Sequence, residues 1–135
     1  MAAHGLAASL IQLIEGITKT LSFLNDVRNA PKERVELAQE LAGLLGVLMR
    51  LRYRVEDSKP KSTWFAAARF MGVENGPVQQ LQETVTDITG KLCCKEKSVK
   101  YALLWPFQKA EAQKMLAKLE RLKSLINLAF QEDLS

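Results

Sequence analysis

The chain has 135 residues, of which 47% are hydrophobic and 25% charged, with seven glycines and four prolines. This length and composition are typical of one globular domain and argue against a disordered chain or a turn-rich β fold. The sequence has no apolar run long enough for a transmembrane helix and no basic segment before its apolar N-terminus, as a secretory signal would have. We therefore expect a cytoplasmic protein.

The first predicted helix covers about residues 6–28. Its apolar side chains recur at helical steps of three and four: Leu6, Leu10, Ile14, Ile17, Leu21 and Leu24. Between residues 5 and 24 only Glu15 and Lys19 are charged, four positions apart, where they support the helix. A helix with so few charges can be the core face of a bundle or a segment that enters a membrane.

The second predicted helix starts at Pro31, because a missing N–H is tolerated in the first helical turn, and ends before Lys59-Pro60. Its apolar stripe is expected to contain Val35, Leu37, Leu41, Leu44, Leu45, Leu48 and Leu51. A short third helix is predicted over residues 63–71. Gly72 is expected to cap it, and Asn75-Gly76 supply residues that tolerate positive φ.

A fourth helix is predicted from Pro77 to about Leu92, followed by a loop and a short helix or turn over residues 99–104. The final helix is expected from about Pro106. Its apolar residues follow heptad spacing and predict shallow-angle packing on other helices: Met115, Leu119, Leu122, Ile126 and Ala129. No segment alternates as a strand does, so the sequence predicts an all-α helical bundle of four long helices plus one or two short ones.

The net charge of +4 is unevenly distributed, with the basic surplus in residues 91–123. Residues 1–90 carry ten basic and ten acidic side chains, whereas residues 91–123 carry nine basic and three acidic ones. Such a surplus suits anionic lipid, nucleic acid or an acidic protein, and it is equally typical of a solvated helix face. Core packing is expected, rather than base stacking, for Trp64, Phe65, Phe70, Trp105 and Phe107. Trp64-Phe65 and Trp105-Phe107 lie where bundles use large side chains to plug their ends.

Enzyme chemistry has little support in the sequence. His4 is the only histidine and has no evident partner, the adjacent Cys93 and Cys94 lack the second pair that tetrahedral zinc needs, and no phosphate-binding glycine loop is present. We expect no catalytic residue, metal or cofactor. The two cysteines are interpreted as ordinary thiols at a helix end, with thioester lipidation beside basic residues as an alternative and a strained disulfide as a third.

Four blocks are the most specific in the chain: "LNDV…AP..R" (residues 24–34), "LRYRVE" (51–56), "GVENGP" (72–77) and "ERLKSLI" (120–126). With the sequence around them, from about residue 6 to 133, they resemble the fungal N-terminal domain of STAND proteins. That domain precedes NACHT-type nucleotide-binding modules and repeats in fungal NOD-like receptors. The resemblance implies one HeLo-like effector or signalling domain over residues 1–135. Because the chain ends directly after a helix, we expect it to be excised from a longer receptor.

The resemblance also implies a mechanism of regulated cell death. Receptor oligomerisation would gather several bundles, release the N-terminal helix and permeabilise the plasma membrane, whereas the resting protein is cytoplasmic. The implied partners are further copies of the domain, anionic membrane lipids and the NACHT and repeat regions of the parent receptor, with no nucleic acid. The alternative is a protein-interaction module without membrane activity, which the heptad spacing of the final helix favours.

Two groups of residues would carry the membrane mechanism. The candidates for entering the bilayer, buried in the core at rest, are Leu10, Ile11, Ile14, Ile17 and Leu21. The candidates for attracting anionic headgroups are Lys114, Lys118, Arg121 and Lys123. A basic side chain near an anionic surface contributes about 1 kcal/mol to binding.

Overall fold

The computed structural model describes residues 2–28, 31–57, 65–93 and 103–134. Within these ranges the chain forms five helices and two very short strands: α1 (Ala2–Asp26), β1 (Val27–Arg28), α2 (Lys32–Asp57), α3 (Phe65–Gly72), α4 (Pro77–Cys93), β2 (Leu103–Leu104) and α5 (Lys109–Leu134). Four long helices and one short helix confirm the predicted all-α bundle.

The long helices form a four-membered arrangement in which α1 and α5 are diagonal. α1 packs against α2 and α4, and α5 packs against the same two helices. The short α3 contacts α1, α4 and α5, so it lies across one end of the bundle. Each long helix therefore buries one apolar stripe against two neighbours, as expected for helices with a 3.6-residue period.

One hydrophobic cluster joins all of these helices. Its fully buried side chains include Leu10, Ile17, Leu41, Leu48, Leu81, Ile88 and Ile126. The heptad residues of α5 lie in the same cluster, with Met115 partly buried and Leu119, Leu122, Ile126 and Ala129 buried. The apolar seam of α5 is thus occupied by helices of its own chain and is not a free surface for a partner.

The outer boundary of the α2 stripe differs from the sequence prediction. Leu37, Leu41 and Leu44 are buried as predicted, but the side chain of Val35 is 45% exposed. Val35 lies two positions from Leu37, about 200° around a helix, so the two side chains cannot point to one core. The predicted stripe combined residues from two faces of α2.

The end of α1 also differs from the prediction. The helix ends at Asp26, because Val27 and Arg28 pair in parallel with Leu103 and Leu104. Leu103–Leu104 is therefore a strand where a short helix or turn was predicted, and residues 99–102 lie outside the described residues. A two-residue strand has no alternation that periodicity could detect.

The segment before α5 explains why that helix starts at Lys109 rather than near Pro106. Phe107 turns into the core, and the ring of Trp105 lies edge-on to it at 5.0 Å between centroids. The first helical hydrogen bond runs from the Ala112 N–H to the Gln108 carbonyl. Both rings plug the bundle as predicted.

Other aromatic residues do not share that role. The Phe70 side chain is about half exposed, so its predicted place in the core is wrong. Trp64 and the side chain of Phe65 lie outside the described residues.

The turn between α3 and α4 matches its sequence pattern at Asn75-Gly76. Asn75 has a φ of 62°, whereas Gly72, the predicted cap, is the last residue of α3 and has no positive φ. A Cβ atom on Gly76 would lie 2.9 Å from the carbonyl oxygens of Phe70 and Val73. Gly76 is thus required because the backbone approaches closely.

We predict that Leu122→Ala lowers the free energy of unfolding by about 2–5 kcal/mol, because it leaves a cavity in a fully buried seam. The matched control is Leu128→Ala on the same helix, where the side chain is 55% exposed and the change should be below about 1 kcal/mol. Urea denaturation followed by circular dichroism measures both. Equal losses would contradict this assignment of the core face.

Candidate functional site

The five residues predicted to enter a membrane lie on one side of α1. Leu10 and Ile17 are fully buried, Ile14 and Leu21 pack partly buried against the core, and Ile11 is half-buried. The charged Glu15 and Lys19 are exposed on the other side. α1 therefore has an apolar face that the bundle covers and a polar face that meets water.

A pair of threonines, Thr20 buried and Thr89 half-buried, links α1 to α4. The hydroxyl oxygens of Thr20 and Thr89 lie 2.5 Å apart, and each also lies within hydrogen-bond distance of a carbonyl four residues earlier, on Gly16 and Val85. Two hydroxyl protons serve these three contacts, so one contact always lacks its own proton. The link fixes the register between α1 and α4 without adding charge.

The other hydrogen bonds between α1 and its neighbouring helices are longer than the contact between the two threonines. Arg34 of α2 donates to the Leu24 carbonyl at 3.3 Å, and Gln82 of α4 donates to the Ser9 carbonyl at 3.4 Å. The following ion pairs all lie outside α1: Arg52–Glu56, Lys91–Glu111 and Lys123–Glu40. Apolar burial is thus the main interaction that holds α1, and a second apolar environment could replace it.

The four basic candidates on α5 do not form one patch. Lys114, Lys118 and Arg121 are exposed and follow one another at helical steps on one face. Lys123 is nine residues from Lys114, which places it on the opposite face. There its ammonium lies 3.0 Å from a Glu40 oxygen on α2, as an ion pair without aligned hydrogen-bond geometry.

Two of the exposed lysines line a groove of about 500 Å³ between α4 and α5. Phe107 and Met115 provide apolar lining, and Lys114 and Lys118 stand along the α5 side. Gly90 leaves space on the α4 side, because no atom outside its own helix lies within 4 Å of where a Cβ would be. Asp87 also lines the groove, so its charge is mixed, and the lysines of the α5 side together with the apolar lining suit a ligand with an anionic head and an apolar body.

A further lysine at this groove is already neutralised. Lys91 forms an ion pair with Glu111, and its ammonium lies 5.6 Å from the centre of the Phe107 ring. The hydrogen bond from Lys91 holds the pKa of Glu111 below its ordinary value, although partial desolvation opposes the shift. Sequence reasoning missed this pair, since its members are twenty residues apart and lie on different helices.

The cysteine and histidine predictions fall largely outside what the structure describes. Cys94 and the side chains of Cys93 and His4 lie outside the described residues. Among the described residues no group of three or more His, Cys, Asp or Glu side chains could hold a metal ion. None of the helices, searched over the same residues, has an apolar stretch long enough to cross a bilayer.

We predict that Lys91→Gln raises the pKa of Glu111 towards its ordinary value, because the charged hydrogen-bond donor is lost. A carboxyl group whose pKa is lower in the folded protein than in the unfolded chain stabilises the fold at pH values above the unfolded-state pKa. That stabilisation is lost as the pH falls through the folded-state pKa. The stability difference between wild type and Lys91→Gln should therefore shrink in acid.

An NMR titration of the Glu111 side-chain carboxyl measures the pKa, and Lys123→Gln is the control, since Lys123 faces α2. A Glu111 midpoint that stays the same in Lys91→Gln would contradict the ion pair.

Comparison of the chain with protein-family models, with curated proteins and with solved structures found no match. The function must therefore be argued from the residues of the bundle itself.

Proposed function

We propose that this bundle is a signalling or effector domain that acts on membranes through α1 once several copies are gathered. The observation that carries the proposal is the way α1 is held: its apolar face is covered by α2 and α4, and its contacts to them are mainly apolar. A bilayer offers the same burial. The exchange between bundle and bilayer is then a two-state equilibrium that clustering at a membrane can shift.

The basic face of α5 would bring the bundle to its target. Lys114, Lys118 and Arg121 are exposed on one side, and the first two flank a groove with an apolar lining. Anionic headgroups would bind these side chains, and the inner leaflet of the plasma membrane has such a surface. Lys123, paired with Glu40, is not part of this face.

The sequence resemblance to the N-terminal domain of fungal STAND receptors points the same way, towards regulated cell death. In that setting the nucleotide-binding and repeat regions of a parent receptor would supply the clustering. The competing proposal is an interaction module without membrane activity. The heptad spacing of α5 favoured it, but that seam is buried within the chain.

A reversible lock on α1 tests the membrane step. A Cβ on Gly16 would lie 3.5 Å from the Val85 Cγ1 atom of α4, which is near the position that the sulfur of Val85→Cys can take, so a disulfide between Gly16→Cys and Val85→Cys is within reach. The background carries Cys93→Ser and Cys94→Ser, and a C-terminal tetrameric coiled coil gathers the copies. We expect dye to leak from anionic vesicles with the reduced protein and not with the oxidised protein.

The single variant Gly16→Cys in the same fusion is the control, and its leakage should not depend on the redox state. If the clustered, reduced protein does not permeabilise vesicles, or the locked form permeabilises them equally well, α1 does not act as proposed. Association without leakage would favour the interaction module.

The role of the basic face gives a separate prediction. Lys114→Gln with Lys118→Gln removes two charges and should weaken binding to vesicles containing phosphatidylserine about 30-fold, as expected from about 1 kcal/mol per charge. Lys32→Gln with Arg69→Gln removes the same charge from exposed positions elsewhere. Vesicle co-sedimentation at fixed salt compares the two pairs. Equal weakening would show that net charge, rather than the α5 face, governs binding.

A further inference from the structure

The outer face of α2 has a second apolar stripe that the bundle does not cover. Its exposed members, called here the α2 outer stripe, are spaced four, three, four, three and four: Val35, Gln39, Ala42, Gly46, Met49 and Tyr53. Tyr53 is 73% exposed and Met49 is 55% exposed. The stripe contains no charged residue, although α2 as a whole is rich in charge. This spacing is that of a heptad seam.

The opposite face of α2 already meets the needs of the fold. Leu37, Leu41, Leu44, Leu48 and Leu51 are buried there against α1 and α5. A helix with apolar residues on two faces is typical of one that is covered on both sides. The α2 outer stripe therefore indicates a further helix outside the bundle.

We propose that the α2 outer stripe packs against the same stripe of a second copy, with the two α2 helices antiparallel. In this arrangement Val35 of one copy lies opposite Tyr53 of the other, and Gln39 lies opposite Met49. Ala42 and Gly46 meet at the centre, where their small size allows close approach of the helices. This register brings every member of the stripe into contact with a member of the other copy.

Two charged residues beside the stripe favour a second copy of the chain as the partner and an antiparallel direction. Glu36 and Arg50, both exposed, flank the stripe on the same side near its two ends. A twofold axis between antiparallel helices brings Glu36 of each copy near Arg50 of the other, with an axial offset of about 3 Å. If the two helices were parallel, the flank with Glu36 and Arg50 would lie on opposite sides of the interface in the two copies, and neither Glu36–Arg50 pair would form. The surface is thus complementary to itself.

The centre of the flank that carries Glu36 and Arg50 allows the two α2 helices to approach each other closely. Gly43 has no side chain, and the nearby Lys123 is paired with Glu40. The other flank carries Ala38, Leu45 and Arg52, and Arg52 is paired with Glu56 of its own helix. In this register Lys32 and Arg34 of one copy also come near Arg54 and Arg52 of the other, so the flanks bring basic side chains together as well, and of these Arg52 is paired with Glu56.

The size of the stripe indicates a weak dimer. Val35 and Tyr53 are eighteen positions apart, which corresponds to about 27 Å along the helix. One helix face of that length buries less surface than the roughly 1,200–2,000 Å² of a stable complex. Such a contact forms when copies are concentrated and is sparse when they are dilute. The role of this dimer in gathering copies at a membrane rests on the proposed function. The existence of the dimer does not depend on that function.

Sedimentation velocity of the unmodified chain, from about 10 μM to about 500 μM and without lipid, tests the dimer. We expect a shift from monomer towards dimer over this range. Glu36→Arg alone and Arg50→Glu alone should each weaken association at least about 10-fold, because each places like charges together. An equimolar mixture of the two variants should recover dimer, since both flank contacts then join a basic side chain of one variant to an acidic side chain of the other.

A wild-type chain that stays monomeric throughout would overturn the proposal, and so would a mixture that associates no better than either variant alone. Circular dichroism checks that both variants, which change only exposed side chains, keep the bundle. The membrane step is tested separately, because the tetrameric fusion gathers copies without the stripe. If the tetrameric fusion with Glu36→Arg causes leakage but the unfused wild-type chain does not dimerise, only the proposed role of the stripe is rejected. If the unfused wild-type chain dimerises but the fusion causes no leakage, only the membrane step is rejected.

Discussion

The packing of the apolar face of α1 against α2 and α4 is the interaction on which the rest of the bundle depends. α1 contributes buried residues along its whole length, from Leu6 to Leu24, and it separates α2 from α4 on the side away from α5. Because most of the buried contacts of α1 are apolar, the strength of this packing follows mainly the area removed from water. The same packing completes the core of the bundle.

Heptad spacing occurs twice in this chain, and the structure assigns the two occurrences different roles. On α5 the seam from Met115 to Ala129 packs inside the bundle, whereas on α2 the stripe from Val35 to Tyr53 faces outward. Spacing alone therefore indicates that a helix has a partner but not whether the partner belongs to the same chain. Burial decides between the two.

Much of the fold could be predicted from the sequence, because the long helices have strong periodicity and recognisable ends at Pro31, Asn75-Gly76 and Pro77. The pairing of Val27–Arg28 with Leu103–Leu104 could not, since it joins residues distant in sequence through backbone atoms. The candidate site was predicted only in part. Counting residues around α5 would have separated Lys123 from Lys114, but the Lys91–Glu111 contact depends on how α4 and α5 pack.

The diagonal placement of α1 and α5 has a consequence for the three helices that α1 would leave behind. α2 and α4 both pack on α5, so these helices keep a continuous chain of contacts when α1 is absent. What opens is one apolar trough, lined by the side chains that now touch Leu10 and Ile17. A trough of that shape fits an α1 helix from any copy, so gathered bundles could exchange their first helices in a domain swap. Helix exchange would then compete with membrane insertion for the same vacated surface.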